Sequence, residues 1–196
     1  IIEDLRPNIY DPVEGTTIAD AEVERIARKT KLVDVRWTCE DGTELVISTT
    51  RPELICACGV VVVHPDDERY KHLVGQQIHL PMETSGRSTT VTIQHHPSVK
   101  SDFGTGVLMV CSFGDQNDVA VFRELGLAPF QAIDLDGKMT EVAGPLQGLS
   151  VLEARSQAIE QPEQAGRLVQ AVERDQDIPV SERGKNPVEI ILLKEW

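Results

Sequence analysis

The sequence predicts an α+β domain: a β-barrel-like mixed sheet core with inserted short helices. Three observations point there. Short β-branched runs recur along the chain, and Val60-Val61-Val62-Val63 is the plainest of them. Turn signals such as Asp41-Gly42 and Asp136-Gly137 separate these runs. The regular alternation of strand and long helix that builds a layered parallel sheet is missing. With 196 residues the chain suffices for a single domain of generous size.

Residues 1–18 read as irregular, because Pro7, Pro12 and Gly15 interrupt any period. Asp20 is placed to cap a short helix over 21–28. Lys31 to Thr38 alternates as a strand, Asp41-Gly42 turns the chain, and Thr43 to Thr49 returns as its partner. Val60–Val63 reads as a buried strand that ends at His64-Pro65. Asp66 to Leu73 is expected to form one or two helical turns, closed by Gly75. Gln77–Leu80, Ser88–His95 and Val107–Cys111 read as further strands.

Asp115 opens a helix that runs through Leu125 to Gly126. Phe130–Ile133 reads as a strand. Ser150-x-x-Glu153 is a capping box that starts another helix. Pro162 is expected to break that helix, with a second one over 163–173. Residues 187–193 form a strand whose partner the sequence does not identify.

Composition narrows the function. The 32 acidic residues outweigh the 19 Lys and Arg, for a net charge of −13. Loose binding to nucleic acid depends on neutralising phosphates, so a free-standing RNA binder is disfavoured. The sparse aromatics also oppose a base-stacking platform. No apolar run approaches the length of a membrane span. The chain lacks a basic, apolar leader and an initiating Met, which suggests a segment of a longer protein. Cys39, Cys56, Cys58 and Cys111 do not form two close pairs, so structural thiols are favoured over zinc ligands. The simplest compartment is reducing, hence cytoplasmic.

Two segments carry chemistry. In Ser48-Thr49-Thr50-Arg51-Pro52-Glu53, two hydroxyls that donate and accept precede an arginine suited to phosphate or carboxylate. On local grounds alone, ordinary strand threonines and a surface ion pair explain it more simply. In the second segment, Gly104-Thr105-Gly106 precedes Val107–Cys111, and Gly114-Asp115-Gln116-Asn117-Asp118 follows. Asp115 can act as a helix cap, and Asp118 lies one turn on. Two carboxylates there can bind a cation such as an α-ammonium. His95-His96 point to opposite faces of a strand, and His64 reads as a loop histidine with a structural hydrogen bond. The cluster from His64 to Glu68 reads as a solvated helix start.

The run from Thr49 to Glu53, then Val60–Val63, then 64–75 resembles the editing insertion of class I valyl-tRNA synthetases. The segment from Gly104 to Asp118 resembles the second signature of that insertion. Residues 20–24 and 187–190 resemble its entry and exit. Isoleucyl and leucyl relatives share the fold but differ in the Thr-rich and His-Pro segments.

The resemblance implies one editing domain over 1–196, with 1–18 and 180–196 as connections to the synthetase body. It implies post-transfer hydrolysis of misacylated tRNA, with threonine as the residue removed. Thr49, Thr50 and Arg51 would line the cleft, and Asp118 would bind the α-ammonium, with Asp115 beside it. Thr50 and Asp118 would carry the catalysis. Met109 and Cys111 stand where the commoner bacterial pattern has Lys and Thr; they match the archaeal-type branch and would also face substrate. That branch often carries a Cys-bearing knuckle near entry and exit, but 11–15 and 181–185 here lack cysteine, so no metal is expected.

The domain would act as a monomer on the tRNA 3′ end, within a synthetase body that uses ATP and Mg. It would need no cofactor of its own and no membrane. The alternatives are the editing domain of an isoleucyl- or leucyl-tRNA synthetase, a non-catalytic tRNA-binding module, and a hydrolase of small esters.

Overall fold

The computed structural model describes residues 5–81 and 89–194. Its centre is a sheet that closes on itself. β3 (Val23–Cys39) pairs with β4 (Glu44–Thr49); β4 pairs with β8 (Val107–Cys111), and β8 with β5 (Cys58–Val63). β5 pairs with β7 (Thr90–His95), β7 with β6 (Gln77–His79), and β6 returns to β3 at Thr38 and Cys39. The β4–β8 and β5–β7 pairs are parallel and the others antiparallel, so the barrel is mixed, as expected.

Strand alternation fills the interior. Val33, Val35 and Trp37 from β3, Leu45 and Ile47 from β4, and Val61 and Val63 from β5 point inward. Val60 and Val62 face the opposite way, against Val121 and Phe122. The four valines are therefore buried on both faces, which is why the run is uniformly apolar. Phe122 belongs to α1 (Gln116–Glu124), capped by Asp115 as predicted.

Three elements differ from expectation. Residues 23–28 are not helical: after a 3-10 turn at Asp20–Glu22 they begin β3. Residues 168–173 are not helical either. α2 (Val151–Gln164), opened by the Ser150–Glu153 capping box, runs through Pro162 and ends a few residues later. The chain then enters β9 (Leu168–Ser181). β3 and β9 form one long antiparallel ladder, from Val23↔Ser181 to Val35↔Leu168. Each stretch carries helix-compatible local sequence, and its partner lies more than 100 residues away; the inter-strand hydrogen bonds outweigh local propensity. Phe130–Ile133 makes only a single bridge, Ile133 to Met139, around the turn at Asp134–Gly137.

The N-terminal stretch is ordered into strands rather than irregular. β1 (Leu5–Asp11) pairs with β2 (Thr16–Thr17) and with β10 (Glu189–Lys194), which identifies the missing partner of the final strand. Pro7 is tolerated because β2 covers only Tyr10 and Asp11, leaving the Pro7 edge open. This small sheet meets the barrel through buried Asp11. Its carboxylate accepts from Ser181 Oγ at 2.7 Å and Asn186 Nδ2 at 3.1 Å, and from the Val13 and Glu14 amides. The entry and exit stretches thus meet through oxygen and amide groups. Ser88, the first residue of the predicted 88–95 strand, and residues 1–4 lie outside the described residues.

Candidate functional site

The parallel β4–β8 pair, with Ser48 beside Leu108, sends both signature segments out at the same end of the barrel. Thr49 ends β4 and Cys111 ends β8. β5 enters at that end with Cys58 opposite Cys111, after a 3-10 turn over Pro52–Ala57. Topology therefore joins stretches some 60 residues apart in sequence.

The join is made by Arg51. Its Nη1 donates to the Gly114 carbonyl at 3.1 Å, and its Nε to Glu53 Oε1 at 3.1 Å. Its Nη2 donates to both oxygens of Glu189, at 2.9 and 3.0 Å. Glu53 is wholly buried and also accepts from Arg155 of α2, at 2.8 and 3.1 Å. Two part-exposed arginines and two buried carboxylates thus form a neutral set. The two guanidiniums hold the Glu53 carboxyl below its ordinary range against the opposing effect of burial. The donors of Arg51 are directed at protein groups, which makes it a strut between segments.

Thr49 Oγ1 accepts from the Arg51 amide at 3.0 Å and tightens the turn after β4. Thr50 is part-exposed on that turn. Asp115 Oδ1 caps α1 by accepting from the Asp118 amide at 2.8 Å. Asp118 Oδ2 accepts from the Cys111 amide at 3.2 Å, so its carboxylate is turned back over the end of β8. Burial, and then the neighbouring Asp115, push the Asp118 carboxyl up to about 8; the Cys111 amide and Arg51 pull the other way without cancelling them. Among the described residues no cation is paired with this carboxyl, and one placed beside it would favour the ionised form.

Gly114 makes this arrangement possible. A Cβ there would lie 2.2 Å from Asp118 Oδ2, so the carboxylate occupies the space a side chain would take. Met109 and Cys111 alternate with Leu108 and Val110 and are turned toward the barrel interior with Val107. Burial raises the Cys111 thiol well above its ordinary range. Cys58 is raised in the same way.

The Gly104-Thr105-Gly106 turn lies at the other end of β8 and makes structural contacts. Thr105 Oγ1 donates to the Val46 carbonyl at 2.7 Å, and its amide donates to Ser48 Oγ at 2.9 Å. Ser48 Oγ in turn donates to buried Asp34 at 2.7 Å. His64 Nδ1 accepts from the Asp66 amide at 3.1 Å, the structural bond anticipated for it.

Glu53, Glu189 and Arg155 join the site although the sequence motifs assign none of them a role. The signal was present: Glu53 is the one charged residue in the otherwise apolar run Pro52–Ala57, and Glu189 precedes the apolar Ile190–Leu193. An acid inside an apolar run needs a buried cation.

No protein-family model matches the chain. It is similar to valine–tRNA ligases of archaea. It is 43% identical to that of Aeropyrum pernix over 196 residues, covering all of this chain and 23% of the ligase. It is 42% identical to that of Methanopyrus kandleri, covering 92% of this chain and 20% of the ligase. For Nanoarchaeum equitans the identity is 40%, covering all of this chain and 25% of the ligase. The chain thus spans a quarter or less of the length of these relatives.

Proposed function

Because the chain belongs to the valine–tRNA ligase family, as a segment of it, we propose that it is the editing module: it hydrolyses a wrongly attached amino acid, chiefly threonine, from the tRNA for valine. The observation that carries this reading is Asp118. It is a recessed carboxyl with no paired cation among the described residues, and it sits at the barrel end where the Thr49–Thr50 turn also emerges.

An aminoacyl ester carries an α-ammonium next to the bond to be cut. Asp118, once ionised, binds that ammonium, and the cation in turn stabilises the ionised form. Thr50 and nearby backbone amides orient the ester and the attacking water. The water oxygen adds to the ester carbonyl, and the bond to the ribose oxygen breaks, releasing free amino acid and tRNA. Asp115 is the fixed cap that orients α1 and thereby Asp118. Positioning, rather than a strong side-chain base, supplies the rate.

Such a site answers a defined problem. A pocket built for valine rejects an added hydroxyl by only about 10²-fold, a figure known for this enzyme family. A second site that accepts the hydroxyl and cuts the ester supplies the remaining discrimination. The test compares deacylation of threonyl-, valyl- and isoleucyl-tRNA, with Asp118→Ala alongside. Rapid loss of threonine alone, abolished by the substitution, is expected. A parental rate in Asp118→Ala overturns the ammonium role, and tRNA binding without hydrolysis replaces the enzyme with a binding module.

A further inference from the structure

Arg51 is the only link described between the Thr49–Thr50 turn and the lead-in to α1, and a bidentate pair holds its outer end. That pair is Glu189, which opens β10 and stands opposite Tyr10 of β1. β1 and β10 come from the two ends of the described chain and form a sheet separate from the barrel. One carboxylate therefore ties that sheet to the site. We propose that Glu189 is a positioning residue: by fixing Arg51, it sets the Gly114 carbonyl and with it the wall against which the Asp118 carboxylate rests, so that the small sheet and the amino-group subsite move as one body. The inference rests on the reading of Asp118 as amino-group ligand.

The geometry leaves little slack. Nη1 reaches Gly114 O at 3.1 Å while Nη2 holds both Glu189 oxygens. A planar guanidinium cannot release one side without rotating the other. Gly114 in turn abuts Asp118 Oδ2, so a shift of its backbone changes the space available to the carboxylate. Glu53 cannot replace Glu189, because its two oxygens already serve Arg51 and Arg155. Without Glu189, two cations share one buried carboxylate, and Arg51 is drawn toward the next acid, Asp118, whose field it already feels. The substrate ammonium would then compete with an internal cation. The consequence is specific: weaker capture of the aminoacyl end rather than slower bond cleavage.

The test uses the full-length ligase that carries this segment, with threonyl-tRNA as substrate and the variants Glu189→Ala, Glu189→Gln and Asp118→Ala. Glu189→Ala is expected to raise KM for deacylation by about tenfold to about 10²-fold, the scale that a displacement of about 1 Å produces at a reacting site, with a smaller change in kcat. Glu189→Gln keeps one acceptor for Nη2 but loses the charge and the second oxygen, so a rise in KM intermediate between the parent and Glu189→Ala is expected. A folded Glu189→Ala enzyme with parental KM and kcat, beside an inactive Asp118→Ala enzyme, overturns the positioning role and leaves the amino-group reading standing. Parental activity of Asp118→Ala overturns both. If Glu189→Ala fails to fold, Glu189→Gln decides: an unchanged KM refutes the proposal, and an intermediate rise supports it.

Discussion

Replacing Asp118 by Asn should make the protein more stable at neutral and alkaline pH while removing the proposed activity. Asn keeps the shape of the carboxyl and the oxygen that accepts from the Cys111 amide, but it cannot ionise. The parental carboxyl is raised in the folded chain from an ordinary 3.8 to about 8. Between those values the unfolded chain has released the proton and the folded chain still holds it, so stability falls as pH rises. It is fully present below about 4 and reaches its lowest level above about 8. At about 1.36 kcal/mol per tenfold change in proton affinity, the complete offset corresponds to about 6 kcal/mol. Asp118 is partly open to solvent, and water and salt screen such a charge, so about 2–3 kcal/mol is expected to appear. The assay is urea unfolding of the parent and Asp118→Asn at pH 4, 6 and 8.5. The gain should be near zero at pH 4 and grow through pH 6 to its full size at pH 8.5. A gain that is flat with pH, or a loss at pH 8.5, refutes the claim that the folded chain suppresses Asp118 ionisation.

Two further outcomes follow from close contacts. Gly114→Ala places a methyl 2.2 Å from Asp118 Oδ2; deacylation should fall by about 10²-fold while urea unfolding shows the barrel intact, and a parental rate would show that the carboxylate can move aside. Glu53→Leu leaves the part-exposed Arg51 and Arg155 without the buried acid they share; equilibrium unfolding should register a loss of about 1–3 kcal/mol, and a loss under about 0.5 kcal/mol would mean that both arginines find water instead.

What could be read from the sequence divides by the range of the interactions involved. The buried valine strand, the Asp115 cap and the Ser150–Glu153 capping box are local patterns, and each stands where its pattern placed it. The β3–β9 ladder was missed because neither strand advertises its partner: both are polar on much of their surface, and residues 23–28 show spacing that a helix also satisfies. Pro162 misled in the same way. It gives up one intrahelical hydrogen bond, to the Ala158 carbonyl, but only two more helical residues follow, so α2 passes through it and stops at Gln164.

The candidate site shows a subtler division. Asp118 and Thr50 are nominated by resemblance of motifs, which gives residue types without saying which partner each one already has. Arg51 illustrates the difference: as a sequence element it suits a phosphate, but in the fold its donors face Glu53, Gly114 and Glu189. Asp118 is the converse case, an acid whose lack of a paired cation the sequence does not show. It becomes chemically distinct because β8, α1 and Gly114 close around it and the nearest guanidinium is committed elsewhere. The same fact accounts for both structural observations: holding Arg51 on Glu189 and Glu53 is what leaves Asp118 without a cation of its own. The proposed ammonium site would require such a vacancy of charge, and the pairs of Arg51 with Glu53 and Glu189 maintain it.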